Sequence, residues 1–255
     1  MNFQYASDLH LEFAQNKKVI LKKPLSPVAD ILILAGDILP IADLDQHQDF
    51  LTFLADNFKM TYWLPGNHEF YGSDLATMPT SFEESIRPNI LLLNNIVKEI
   101  EDPAGPIELV FSTLWSHIPA HLTEIVTTRV QDFSQILWKG NQMTPQVYNQ
   151  LHQQALEFLG TALGSNCTRK MVISHHCPSF LNYPKKHQKD PINAFFASNL
   201  DDFIQKTVQN AWIFGHHHFN MPPFLLGKTT FYTNQLGYVK FKEGAGFDRG
   251  AIIEV

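Results

Sequence analysis

Short apolar runs, each followed by a cluster of polar residues, recur along the chain. Such runs, flanked by Gly and Pro, are typical of strands that are buried on both faces. The runs that end in polar clusters lie at residues 3–6, 31–35, 62–64, 171–173 and 212–214. Further strands are predicted at residues 90–93, 107–112, 229–233 and 251–255, with a hairpin-like connection, DPAGP, at residues 102–106.

Helices are predicted between these strands, at residues 44–58, 81–86 and 147–163. In the third helix, helical spacing places one group of apolar residues on the same side: Val147, Leu151, Ala155, Phe158, Leu159 and Ala162. The pattern predicts a layered α/β domain that contains either one mixed sheet or two packed sheets.

Two long segments, residues 115–146 and 178–199, have no clear period and contain Trp, Phe, Tyr and Pro. We predict that they are loops over one end of the sheet, where lids and substrate walls usually lie.

Composition and charge narrow the range of functions. A chain of 255 residues can bury its core as one unit, so we expect residues 1–255 to form a single domain. The net charge of −6 and the four arginines argue against an extended nucleic-acid surface. A small phosphorylated substrate is compatible with this charge, because a bound metal supplies positive charge. The chain has two cysteines and no recognisable signal or membrane segment, so a cytoplasmic location without membrane contact is expected. The sequence does not indicate an oligomeric state.

Side chains that bind metals follow five of the predicted strands. Ligands of open α/β sheets bind just beyond the carboxyl ends of the strands, so these segments are expected to meet at one site. The candidates are Asp8, His10, Asp37, Asn67, His68, His175, His176, His216, His217 and His218.

The three consecutive histidines after AWIFG are explained by the same site. Residues two apart in an extended segment point in the same direction. Asp8 and His10 are therefore expected to bind one ion together, and His216 and His218 to have the same relation. His217 would then point away from the metal.

The number of candidate ligands indicates two metal ions. Seven residues qualify: Asp8, His10, Asp37, Asn67, His175, His216 and His218. They are too many for one four-coordinate ion but suit two ions that share a carboxylate, and Asp37, directly after Gly36, is the predicted bridge. The mixture of carboxylate, amide and imidazole ligands favours two divalent or trivalent transition-metal ions, such as Mn, Fe, Zn, Ni or Co.

Five motifs in this chain resemble those of the calcineurin-like metallophosphoesterase superfamily, in the same order. They are Asp8-x-His10, Gly36-Asp37, Gly66-Asn67-His68-Glu69, His175 and Gly215-His216-x-His218. Thr113-Leu114-Trp115 and Asn234-x-x-Gly237-Tyr238 are also similar to a bacterial subgroup of phosphohydrolases, although Gln235-Leu236 stands where that subgroup has Pro-Arg.

The resemblance implies a four-layer α/β/β/α sandwich and a hydrolase of phosphodiesters or phosphomonoesters that uses a metal-bound hydroxide. It assigns the ligands Asp8, His10, Asp37 and His218 to one ion, and Asp37, Asn67, His175 and His216 to the other. His68 is implied to be the catalytic residue that assists the leaving oxygen. His175 matches the family's ligand better than His176 does.

Several alternatives stay open at this point. A metal-binding scaffold without activity, a nucleotide pyrophosphatase and a nuclease compete with the phosphoesterase. A protein phosphatase is disfavoured, because the Arg-containing motif GDxxDRG is absent. Glu69 is expected to have a structural role or to support the ligands, for example by orienting an imidazole, and Cys177 is expected to take no part. Five histidines are expected at the surface: His47, His117, His121, His152 and His187.

Overall fold

Two six-stranded β-sheets form the centre of the computed structural model, which describes residues 1–184 and 190–255. In chain order the strands are β1 (Asn2–Ala6), β2 (Ile31–Ala35), β3 (Met60–Leu64), β4 (Phe82–Arg87), β5 (Ile90–Asn94), β6 (Ile96–Ile100), β7 (Ile107–Ser112), β8 (Leu137–Trp138), β9 (Asn141–Gln142), β10 (Lys170–Ser174), β11 (Ala211–Ile213), β12 (Phe224–Leu226), β13 (Thr229–Tyr232) and β14 (Ile252–Glu254).

The strand order is β14-β1-β2-β3-β5-β4 in the first sheet and β12-β13-β11-β10-β7-β6 in the second, while β8 and β9 form a separate two-stranded sheet. The central strands of both sheets are parallel, and each sheet has an antiparallel strand at both edges. Because parallel strands end on the same side, the segments that follow β1, β2 and β3 leave the first sheet together. Those that follow β10 and β11 leave the second sheet in the same way.

Helices lie against the outer faces of the sheets and in the segments beyond the ends of the strands. They are α1 (Ala14–Lys22), α2 (Gln48–Asn57), α3 (Thr123–Arg129), α4 (Asp132–Gln135), α5 (Pro145–Leu163), α6 (Asn193–Phe196) and α7 (Asp201–Lys206). Helix α5 begins at an N-cap, Thr144, whose side chain accepts a hydrogen bond from the Val147 N–H, and Pro145 occupies its first turn.

Alternate residues of the central strands pack into different layers. In β2, Ile33 and Ala35 lie between the two sheets, whereas Leu32 and Leu34 pack with residues of α1 and α2. The same alternation in β10 directs Val172 towards α5. This double burial explains why the strands are continuous apolar runs. The four-layer α/β/β/α sandwich is confirmed, with two packed sheets rather than one.

The helix predicted at residues 81–86 is wrong, because this segment lies in the edge strand β4. Glu83 and Glu84 favour helices, but the segment pairs antiparallel with β5 and buries Phe82 against the core. Pairing with the adjacent strand and burial of Phe82 therefore override the helical preference of the glutamates. The helix predicted at residues 44–58 is divided into a 3₁₀ helix, Ile41–His47, and α2.

Residues 115–146 are more regular than the predicted loop. They contain α3, α4 and the β8–β9 pair, and their residues Trp115, Val126, Phe133 and Ile136 form an apolar cluster together with side chains of other segments. Because each element is only two to seven residues long, no period stands out in the sequence. The segment 178–199 contains α6, and its residues 185–189 lie outside the described part of the chain.

Two histidines expected at the surface are buried. His47 is 5% exposed, and His152 is 6% exposed, with Nδ1 at the carbonyl oxygen of Trp115. His117 and His121 are exposed as expected, and His187 lies outside the described residues. Within residues 1–184 and 190–255, no helix has the length and apolar character needed to span a membrane.

Candidate metal centre

The carboxyl ends of five parallel strands bring the predicted ligands together. The strands and the residues that follow them are β1 with Asp8 and His10, β2 with Asp37, β3 with Asn67, β10 with His175, and β11 with His216 and His218. All these side chains are buried except that of His218, which is 12% exposed.

The backbone at most of these residues is left-handed rather than extended. Asp8, His10, Asp37, His216 and His218 have φ between 48° and 75°. The prediction of extended segments is therefore wrong. Residues other than Gly are uncommon in this region, and backbone strain of this kind concentrates at functional sites. Five such residues in one place indicate a site that the surrounding structure holds in a special geometry.

One group of ligand atoms, here called the first cluster, joins Asp8, His10, Asp37 and His218. His10 Nε2 lies 2.9 Å from His218 Nε2 and 3.7 Å from Asp37 Oδ2. His218 Nε2 lies 3.3 Å from Asp8 Oδ1. These atoms are close enough to bind one ion.

The second cluster joins Asp37, Asn67, His175 and His216. His175 Nε2 lies 3.1 Å from His216 Nδ1, 3.2 Å from Asn67 Oδ1 and 3.3 Å from Asp37 Oδ1. His216 and His218 therefore belong to different clusters and are not positioned to bind one ion together. Asp37 turns Oδ2 towards the first cluster and Oδ1 towards the second, which is the geometry of a bridging carboxylate.

Hydrogen bonds on the outer side of the imidazoles point their lone pairs into the clusters. The outer Nδ1 atoms donate from His10 to Glu12 Oε1 (3.0 Å), from His218 to Glu243 Oε2 (2.7 Å) and from His175 to the carbonyl of Ala35 (2.9 Å). Because these oxygens only accept, each Nδ1 carries a hydrogen, and Nε2 is the atom that presents a lone pair once the ring is neutral. Acceptor atoms thus face each other at close range, so the residues fit bound cations. Metal-binding histidines typically have such outer partners.

Asp132, in α4, holds Asn67 with its oxygen towards the second cluster. Asn67 Nδ2 donates to Asp132 Oδ1 at 2.9 Å, and the Tyr71 hydroxyl donates to the same oxygen at 2.7 Å. Because its nitrogen is engaged in this way, Asn67 turns Oδ1 towards His175. Burial raises the pKa of Asp132 to about 6.

Charges within the clusters are set by burial and by close neighbours. Burial lowers the pKa of His175, but Asp37 and Asp8 outweigh this effect and bring it to about 9. Burial raises the pKa of Asp37, yet His175 and His68 hold it well below its usual value, so Asp37 is ionised. Burial and the neighbouring imidazoles of His176 and His175 keep the pKa of His216 well below the ordinary value. A cation in the second cluster would replace the proton that these carboxylates otherwise stabilise on His175.

Glu69 ties two of the ligand loops together. Its carboxylate accepts hydrogen bonds from the N–H groups of Asp37 (2.9 Å), Ile38 (2.8 Å) and Gly66 (2.7 Å) and from Trp63 Nε1 (2.9 Å). Its partners are backbone groups and an indole rather than an imidazole, so of the expected roles the contacts fit the structural one. Burial raises the pKa of Glu69 to about 7.

Gly66 lies where a side chain would displace ligand atoms. A Cβ at this position would meet Asp37 Oδ1 and would lie 2.7 Å from His175 Nε2. We expect Gly66→Ala to weaken metal binding and lower activity by about 10- to 100-fold, as other changes beside metal ligands do. Metal content and kcat/KM would measure this effect. Gly160→Ala is the matched control, because a Cβ there meets nothing within 4 Å, and it should retain both properties. Unchanged metal content in Gly66→Ala would contradict the arrangement described here.

His68 lies beside the clusters, at the start of the 3₁₀ helix His68–Phe70. Its Nε2 is 3.9 Å from Asp37 Oδ2 and 3.4 Å from the Tyr238 hydroxyl, and its ring stacks on Tyr71 with the centroids 4.2 Å apart. Burial lowers the pKa of His68, but Asp37 and Glu12 outweigh it and the pKa is raised above the ordinary value.

The two remaining candidates lie outside both clusters. His176 contacts the Tyr148 hydroxyl through Nε2 at 3.0 Å and the Thr113 carbonyl through Nδ1 at 3.2 Å. Its ring packs on His216 with a centroid distance of 4.1 Å. The side chain of His217 accepts a hydrogen bond from Gln235 Nε2 at 2.9 Å, so it points away from the clusters.

Three residues around the site were missed in the sequence. Glu12 repeats the spacing of two that separates Asp8 from His10, and this regularity is a signal that the sequence contains. Asp132 and Glu243 follow no comparable pattern, because folding brings them to the site from distant segments.

Cys177 is buried, with its Sγ donating to the carbonyl of Ser179, and burial raises the pKa of its thiol to about 12.

The fold and the two clusters define a metal-dependent phosphoester hydrolase. The family model for calcineurin-like phosphoesterases matches residues 1–220, and the chain belongs to this family. No curated protein matches the chain.

Solved structures with a similar fold are found at low sequence identity. Phosphopantetheinyl hydrolase (PptH) from Mycobacterium tuberculosis has a TM-score of 0.67 and 17% identity, with 94% of this chain and 90% of that chain covered. A dimetal phosphatase from Danio rerio has a TM-score of 0.48 and 15% identity, with 92% and 87% covered. At 17% identity, the similarity to phosphopantetheinyl hydrolase shows that the two chains share a fold.

Proposed function

We propose that the protein hydrolyses phosphate esters of small molecules and uses two divalent or trivalent transition-metal ions. The observation that carries this proposal is Asp37, which directs one carboxylate oxygen into each of two buried clusters. One ion would be held by Asp8, His10, Asp37 and His218, and the other by Asp37, Asn67, His175 and His216.

The chemistry is divided between the ions and the chain. When bound, two such cations lower the pKa of a water and offset the negative charge that develops on the phosphoryl oxygens. Hydrolysis would exchange the bond between phosphorus and the leaving oxygen for a bond between phosphorus and the oxygen of water. His68 is the proposed catalytic residue, with Nε2 donating the proton that the leaving oxygen takes up. Backbone hydrogen bonds keep the carboxylates of Asp8 and Asp37 in place. Asp8 Oδ1 accepts a hydrogen bond from the His216 N–H. Asp37 Oδ1 accepts one from the His68 N–H.

A cavity beside the clusters supports a small-molecule substrate. It has a volume of about 710 Å³, which is within the range of small-ligand pockets. Both segments predicted as substrate walls contribute to it, Arg129 and Asp132 from residues 115–146 and Phe195 and Phe196 from residues 178–199. Phe13, Tyr71, Tyr238 and Phe241 also line it, so the part of the substrate beyond the phosphate would contact aromatic rings.

Metal reconstitution tests this function. The chain would be stripped of metal, and Mn, Fe, Zn, Ni or Co would be added back with p-nitrophenyl phosphate or bis-p-nitrophenyl phosphate as substrate. We expect two ions per chain and restored hydrolysis of at least one ester by at least one metal. The ratio of diester to monoester hydrolysis would narrow the substrate class. Two bound ions without turnover of any phosphate ester, nucleotide pyrophosphates included, would instead support a scaffold that has lost its activity.

A further inference from the structure

Glu12 connects a metal ligand to the proposed catalytic histidine. Its Oε1 atom accepts a hydrogen bond from His68 Nδ1 at 2.8 Å and another from His10 Nδ1 at 3.0 Å. The side chain is 14% exposed, and Oε2 is buried without a hydrogen-bond partner among residues 1–184 and 190–255. One oxygen atom therefore holds both rings.

This contact determines which nitrogen of His68 faces the cavity. Because Glu12 accepts from Nδ1, the opposite nitrogen, Nε2, is turned towards Asp37 and the Tyr238 hydroxyl. Stacking on Tyr71 restrains the plane of the ring but not a flip about its axis, because either face of an imidazole can stack. The hydrogen bond to Glu12 supplies the restraint that stacking lacks.

We propose that Glu12 is the positioning residue of His68, and that it keeps Nε2 directed at the leaving oxygen during phosphate ester hydrolysis. The inference rests on the proposed function. As the P–O bond to the leaving group breaks, its electron pair stays on the leaving oxygen, which takes the proton from His68 Nε2. Water then returns a proton to Nε2. Proton donation by His68 increases the rate most when the leaving group is a strong base. It increases the rate little for p-nitrophenolate, which departs without protonation.

Glu243 provides a matched control. It contacts His218 Nδ1 at 2.7 Å just as Glu12 contacts His10, but its other hydrogen bond comes from the backbone N–H of Tyr238. A change at Glu243 therefore disturbs a metal ligand without removing a contact to His68. Its effect should not depend on the leaving group.

The experiment compares two variants of the metal-loaded enzyme, Glu12→Gln and Glu12→Asp. Glutamine keeps an acceptor oxygen at the same reach, whereas aspartate keeps the charge but is shorter by one methylene. Rates would be measured for phenyl and p-nitrophenyl esters, as phosphate monoesters and as methyl phosphate diesters. We expect Glu12→Asp to lower kcat for the phenyl ester by about 100-fold. For the p-nitrophenyl ester the loss should be no larger than that of Glu243→Gln, because each change loosens one metal-binding imidazole. Glu12→Gln should stay within about tenfold of wild type for both.

Two further measurements separate positioning from a general structural effect. Glu12→Asp combined with His68→Ala should be slower than His68→Ala alone by no more than the Glu243→Gln factor, because only the contact to His10 is then left to lose. Both Glu12 variants should retain two ions per chain, and Glu243→Gln should lower the rates for both leaving groups by the same factor.

Several results would overturn the proposal. The proposal is contradicted if Glu12→Asp lowers kcat equally for both leaving groups or does not lower it at all. It is also contradicted if Glu12→Gln is slower than Glu12→Asp. Loss of metal from both variants would place Glu12 in support of His10 alone. If the wild-type enzyme hydrolyses neither ester with any metal, the proposed function fails, and this inference fails with it.

Discussion

Asp37→Asn is expected to abolish tight binding of both metal ions and to lower kcat/KM by at least about 1,000-fold. Each ion contributes several kcal/mol to stabilising the transition state, and about 1.4 kcal/mol corresponds to a tenfold change in rate. Asparagine has the same shape as aspartate but lacks the negative charge, and only one of its two terminal atoms can bind a metal. Since the two oxygens of Asp37 face different clusters, one substitution affects both.

Metal content per chain, kcat/KM and thermal unfolding would check this expectation. Added metal should raise the unfolding temperature of the wild-type protein, because a ligand that binds only the folded state stabilises it, and it should do so much less for Asp37→Asn. Asp30→Asn is the control, since Asp30 is exposed and its carboxylate pairs with exposed Lys59 at the surface. An Asp37→Asn protein that holds two ions and retains a tenth of the activity would rule out the bridging role.

His68→Ala is expected to lower kcat by about 100- to 10,000-fold, the usual contribution of a general acid, while two ions stay bound. The His68 side chain is outside both clusters, and its backbone N–H, which donates to Asp37 Oδ1, is kept in the alanine variant. Removal of the ring therefore takes away the proton donor and leaves the ligands in place. The loss should be largest for esters of weakly acidic alcohols.

Parallel measurements of turnover and metal content would distinguish this result from damage to the metal centre. His121→Ala, a change at an exposed histidine, should behave as wild type in both respects. If His68→Ala retained full activity towards every leaving group, the proton would have to come from another group, and the proposed role of His68 would be wrong. Loss of both ions together with the activity would show that His68 supports metal binding instead.

Much of the fold could be predicted from the sequence because its central strands are buried on both faces. An apolar run such as residues 31–35 admits few other interpretations once Gly36 and a polar residue end it. Edge strands are different, since one side of the strand is free and the sequence has less need to be apolar. The glutamates of β4 therefore misled the prediction at residues 81–86.

For the candidate site, the sequence by itself determined the residue types, their order along the chain and their place at the ends of strands. Parallel strands end on the same side, so a local pattern was enough to predict that distant ligands meet. The tertiary structure decided what no local pattern contains. His10 and His218 come within 2.9 Å across a separation of 208 residues. Glu12, Asp132 and Glu243 reach the site through side-chain hydrogen bonds that form only when the loops are packed. Such contacts depend on left-handed turns and on the relative position of the two sheets, and both are set by the packing of the whole chain.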